Sequence, residues 1–138
     1  MRTVFRMLLS LSVLTQLLYG EPPPKIELPP SATLEVLDPI VVQTDSIVAV
    51  SGRVKRSTPW AETGWDHIQI SLFDENGSLI IEVATDYSPR PIPRAYHSAY
   101  EPSSRFAVSI KGITRHVHSV RIAGLPGSVS HLNPAEVE

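Results

Sequence analysis

The chain has 138 residues, with twelve Lys and Arg against fourteen Asp and Glu, thirteen Pro and no Cys. Its formal charge of -2 argues against a nucleic-acid binder, which needs a concentrated basic footprint. The lack of cysteine rules out both a disulfide framework and lipid attachment through a thiol.

The first twenty residues, MRTVFRMLLSLSVLTQLLYG, place Arg2 and Arg6 ahead of an apolar run from Met7 to Leu18 and end in Gly20. A charged start, an apolar stretch too short to span a bilayer and a small residue at the exit predict a signal peptide over 1–20, cleaved near Gly20. An uncleaved membrane anchor is the alternative, because Leu18 stands three positions before Glu21. Cleavage removes two of the twelve basic residues and leaves ten against fourteen acidic ones, a balance of about −4. The mature chain then carries no membrane span and no overall attraction for an anionic membrane. A small exported domain without disulfides fits a bacterial periplasm, or secretion from it, better than an animal extracellular fluid. Asn76-Gly77-Ser78 matches a glycosylation sequon, a reading that lapses in a bacterium and leaves a turn.

Proline maps the rest. EPPPKIELPPSA predicts an extended, polyproline-like spacer over 21–32, and GSVSHLNPAEVE a loose tail over 127–138. Between them, over 33–126, three windows lack proline: 40–58, 60–88 and 103–125. Proline cannot donate to a strand ladder, so these windows are where regular structure is expected. TLEVLD and PIVVQ come first as two short strands. IVAVSGRVKR then places Val48, Val50 and Val54 on one face, with Gly52 as a bulge or a point of close backbone approach. HIQISLFD alternates Ile68, Ile70 and Leu72 with polar residues, and SLIIEVAT places Leu79, Ile81 and Val83 on one side. Between these two, DENGS offers Asn76-Gly77 for a tight hairpin. RFAVSIKG turns Phe106, Val108 and Ile110 inward, and HVHSVRIAG closes the set. The pattern predicts an all-β fold, an antiparallel immunoglobulin-like β-sandwich of about six or seven strands.

VSGRVKR, then IQISLFDENGSLI and later EPSSRFAVSI, over about residues 48–110, resemble FxLYD-type domains, small exported immunoglobulin-like modules of bacteria. The chain departs from them at Lys55-Arg56, where asparagine is more usual, and in the long segment after Tyr87. The resemblance implies a non-catalytic accessory or binding module, with no catalytic residues to carry over.

Catalytic signatures are missing from the sequence itself. There is no glycine-framed serine elbow and no phosphate-cradling glycine loop. Asp74 and Glu75 are adjacent carboxylates, but neighbours in a turn point apart and cannot share acid-base work. The expectation is no enzyme and no cofactor. A metal site for zinc or copper(II) is the alternative function. His116 and His118 flank Val117 in a predicted strand, where residues two apart share a face, and His67 or His97 supplies a third ligand.

YSPRPIPRAYHSAYEPSSR, residues 87–105, sets prolines, arginines and tyrosines between two strands. As a structural strap it lays tyrosine rings over the core edge. As a recognition surface it presents the residue types enriched at binding hot spots. The candidate partner-binding residues are Arg90, Arg94, Tyr96 and Tyr100, with Trp60 in the second aromatic loop, TPWAETGWDH. The expected partner is another exported or envelope protein.

Overall fold

The computed structural model describes residues 22–61, 63, 66–94 and 101–126; the expected signal peptide and tail lie outside them. Among the described residues there is no helix, and so none long and apolar enough to cross a membrane. Seven strands follow in order: β1 (Lys25–Glu27), β2 (Leu34–Thr44), β3 (Ile47–Arg56), β4 (His67–Phe73), β5 (Leu79–Thr85), β6 (Ser104–Lys111) and β7 (Ser119–Leu125). They form two sheets, one in the order β1-β7-β4-β5 and the other β2-β3-β6.

Period-two alternation builds the core that both sheets share. Val48, Val50 and Val54 of β3, Phe106, Val108 and Ile110 of β6, Ile68, Ile70 and Leu72 of β4, and Val120 and Ile122 of β7 belong to one buried cluster. Removing each such side chain from water contributes about 1.5–3 kcal/mol. This is why so few residues, with no disulfide, can hold two sheets together.

TLEVLD and PIVVQ, expected as two strands, are one bent strand. In β2 the register steps between Leu37, opposite Arg53, and Ile40, opposite Ser51, so Asp38 and Pro39 together face Gly52. The bulge therefore lies on β2, with Asp38 at a φ of 50°, and Gly52 supplies the close approach. A Cβ on Gly52 would meet the Phe106 ring at 3.0 Å and the Leu37 carbonyl oxygen at 3.2 Å. One extra residue reverses the alternation. Leu34 and Val36 face the core before it and Val41 after it, which leaves Ile40 outward.

A second irregularity corrects the pattern in β5. Leu72 pairs with Ile81 but Phe73 pairs with Leu79, leaving Ile80 over. Leu79, expected on the same side as Ile81 and Val83, is thereby carried to the outer face and is 51% exposed. The stretch expected to be a spacer also contributes structure. Ile26 pairs in parallel with Val120, and the Lys25 N–H donates to the His118 carbonyl at 2.9 Å. The hairpin forms at the expected place. Gly77 has a φ of 79°, and Asp74 Oδ1 accepts from the Asn76 and Ser78 amides, both at 2.9 Å.

Candidate functional site

The segment after β5 divides into a buried part and an exposed part. Tyr87 and Ile92 are both in the core. The Tyr87 hydroxyl stands 2.8 Å from Asp66 Oδ1 and also reaches the Thr63 carbonyl. It has one proton, so it serves one acceptor at a time. Burial, and then the Asp66 carboxylate beside it, push the phenol up to about 12. The Ile92 amide donates to Thr63 Oγ1 at 3.3 Å, and the Ser104 hydroxyl donates to the Pro89 carbonyl at 2.5 Å. Ser88 and Arg105 exchange two backbone hydrogen bonds of 2.9 Å. These bonds fix residues 87–92 against the loop before β4 and the start of β6.

Arg90, half-buried, is tied to this part. Its Nη2 donates to the Asp66 carbonyl at 2.7 Å and to Asp86 Oδ1 at 2.6 Å, while the guanidinium carbon lies 4.7 Å from the centre of the Tyr87 ring. Of the residues expected to meet a partner, Arg90 is therefore held inward by its own fold. Arg94 is exposed, and its Nη1 donates to the Pro59 carbonyl at 3.2 Å. Trp60, next to that proline, is 74% exposed. Tyr96 and Tyr100 lie outside the described residues.

Arg94 lines a cavity of about 360 Å³ at the end of β3. Lys55, Arg56, Ser57, Thr58 and Pro59 form one side; Pro93, Arg94, Glu101 and Pro102 form the other. Arg56 is anchored across it, donating from Nη1 to the Ala61 carbonyl and from Nη2 to the Ile92 carbonyl at 2.5 Å. Lys55 Nζ lies 2.6 Å from Glu101 Oε2 and 3.4 Å from Glu35 Oε2. The Glu101 carboxylate holds the ammonium above the ordinary lysine value, against a smaller opposing effect of burial, with Glu35 adding to it. Lys55, Arg56, Glu101 and Pro102 were not among the candidates from sequence. The one signal for the first two was the departure from the FxLYD-like pattern at Lys55-Arg56.

The histidines are arranged differently from the expected strand pair. His116 and His118 precede β7, and the Val117 amide donates to Gln43 Oε1 at 3.0 Å rather than to a ladder. The Gln43 amide nitrogen in turn donates to the Arg115 carbonyl at 2.8 Å, so one side chain spans the turn. Val117 is buried and His118 exposed, and the alternation of β7 restarts at Val120. The His118 amide donates to the Phe73 carbonyl, while His67 begins β4 six residues earlier. At about 3.3 Å per residue the backbones of His67 and His118 stand about 20 Å apart, too far for one ion. Among the described residues no three His, Cys, Asp or Glu side chains group as metal ligands would; His97 lies outside them. Asp74 is engaged in its turn and lies 3.6 Å from Arg115 Nη1 through its other oxygen.

No family model matches the chain, and no significant match was found among curated proteins or solved structures. A functional reading therefore rests on the geometry of this site.

Proposed function

We propose that the protein is an exported, non-catalytic immunoglobulin-like β-sandwich module that binds another envelope protein, in the bacterial periplasm or at the cell surface. The strand orders support the immunoglobulin-like reading. The order β2-β3-β6 is compatible with strands A-B-E of that fold and β7-β4-β5 with F-C-C′, while β1 takes the place beside β7 where strand G would lie but runs parallel to it. The single observation that carries the binding reading is the proline-walled, cation-lined cavity flanked by exposed Trp60. Tryptophan and arginine are favoured as anchors at interfaces. A surface already stiffened by proline and by the Tyr87 bonds loses less entropy when a partner docks.

The test is a double variant, Trp60→Ala with Arg94→Ala. Both side chains are exposed, so the variant folds with the wild-type melting temperature. It is expected to lose the proteins that the wild type captures from a periplasmic extract. An unchanged set of captured proteins would defeat the proposal.

A further inference from the structure

We propose that the outer face of the three-stranded sheet is a dimer interface, on which a second copy of this chain packs face to face. The inference goes beyond the binding reading above and rests on the fold alone. Side chains on one face of a strand recur every second residue. With Val48, Val50, Val108 and Ile110 turned to the core, the outer face is built in rows across β2, β3 and β6. Ile40, Ser51 and Ala107 form one row, Val42, Ala49 and Ser109 the next, and Thr44, Ile47 and Lys111 the third. Of these nine residues only Lys111, at a corner, is charged, while Ile40 is 58% and Val42 50% exposed. The outer face of the other sheet shows what contact with water normally selects. There Gln69 donates to Glu82 at 2.7 Å and Arg121 lies 3.6 Å from Glu27.

The relief of the apolar face selects the occupant. β2 raises a ridge of isoleucine and valine, and in the same two rows β3 and β6 answer with alanine and serine alone, which makes a trough beside the ridge. A two-fold axis along β3 lays β2 of each copy over β6 of the other and keeps the order of the rows. Ile40 then meets Ala107 and Val42 meets Ser109 of the other copy, so the ridge of each fills the trough of its partner at the usual sheet spacing of about 10 Å. The next row supplies a polar rim with matching charge. Asp38, 2.5 Å from Arg53 and with its side chain 71% exposed, comes opposite the exposed Arg105 of the other copy, where two guanidiniums share its carboxylate. The size fits as well. β3 has ten residues, about 33 Å, and three strands with their side chains are about 20 Å wide, which gives about 650 Å² per copy. Twice that, about 1,300 Å², lies near the lower end of specific interfaces, about 1,200–2,000 Å². The dimer is therefore a weak one that forms with rising concentration.

The experiment is sedimentation equilibrium of the mature protein from about 1 µM to about 1 mM, where a monomer–dimer equilibrium with a Kd of roughly 10–100 µM is expected. Ile40→Lys with Val42→Lys is expected to weaken the dimer at least about 100-fold, since four charges would enter the contact. Both side chains are exposed in the single chain, so the melting temperature of the dilute variant stays near that of the wild type. Ala107→Glu lies on β6, two strands from the free edge of β2, and is expected to weaken the dimer at least about tenfold. Pairing of two β2 edges would leave that variant as tight as the wild type. Arg105→Glu sets like charges opposite each other across the contact and is expected to weaken the dimer severalfold, less so as salt is added. A monomer at every concentration, which would leave the patch to another occupant, would overturn the proposal. So would a dimer indifferent to the lysine pair, to Ala107→Glu or to Arg105→Glu.

Discussion

Two connections of this molecule contrast sharply: the five-residue turn from Asp74 to Ser78 and the segment from Asp86 to Ile92. The turn is made by local chemistry. One carboxylate accepts two amides, one glycine adopts a φ of 79°, and nothing lies within 4 Å of where its Cβ would be. The longer segment is made by distant chemistry. It buries a phenol and an isoleucine in the core and bonds to Thr63, Asp66 and Ser104, none of them a sequence neighbour. A turn of the first kind ends a hairpin, whereas a segment of the second kind is part of the core and gives the next stretch, Pro93 and Arg94, a rigid base. The difference implies that the two respond to mutation on different scales.

The largest effect is expected at Ile92. Its side chain is 1% exposed and touches solvent nowhere that matters, so Ile92→Ala should cost about 2–4 kcal/mol through lost burial and the cavity left behind. Urea denaturation measures it. A cost near that of a surface change, about 0.5 kcal/mol, would mean that the segment lies over the core without being part of it, and would erase the contrast.

Tyr87→Phe sharpens the comparison by keeping the ring and removing only the hydroxyl. The expected cost is about 1–3 kcal/mol, because Asp66 Oδ1 and the Thr63 carbonyl lose a buried donor. Alkali provides a second readout. The folded phenol titrates at about 12, above its ordinary value of 10.0, chiefly because burial disfavours the anion and then because Asp66 does. A group raised on folding contributes stability that is complete below the unfolded value and is lost as pH rises through the folded one. Wild-type protein should therefore lose stability between pH 10.0 and about 12 by more than the phenylalanine variant does. Parallel pH profiles for the two proteins would show that the hydroxyl does not titrate in the folded state as its burial requires.

How much could be read from the chain follows the same division. Val48, Val50 and Val54, or Phe106, Val108 and Ile110, announce their inward face because each stands in an uninterrupted strand. Asn76-Gly77 announces its turn because the turn is local. Leu79 could not be placed, since the extra residue at Ile80 is decided by how β5 meets β4, and no residue type marks it. Asp38-Pro39 looked like a break between strands because a proline usually is one; only Gly52 across the ladder makes room for a bulge there. Arg90 and Arg94 look alike in sequence. They separate because Asp66, Asp86 and the Tyr87 ring converge on the first, while the second meets the Pro59 carbonyl at the cavity. The cavity was the least legible feature, since residues 55–59 and 93–102 are brought together only when the strands close.

The smallest effect concerns the turn, and it decides whether local chemistry alone suffices there. Gly77→Val places a β-branched side chain at a positive φ, which costs about 1–2 kcal/mol even though the space around it is open. The penalty is therefore conformational and not steric with respect to neighbours. Gly77→Asn tests that distinction, because asparagine occupies the left-handed region with far less strain and is expected to cost only a fraction of the valine change. Asp74→Ala removes the acceptor of two amides that water can still reach, so about 1 kcal/mol is expected there too. Melting curves of the three variants order them: valine lowest, alanine between, asparagine closest to wild type. If valine and asparagine melted together, contact with neighbours rather than backbone conformation would govern the turn. The hairpin would then resemble the Tyr87 segment in kind and differ from it only in degree.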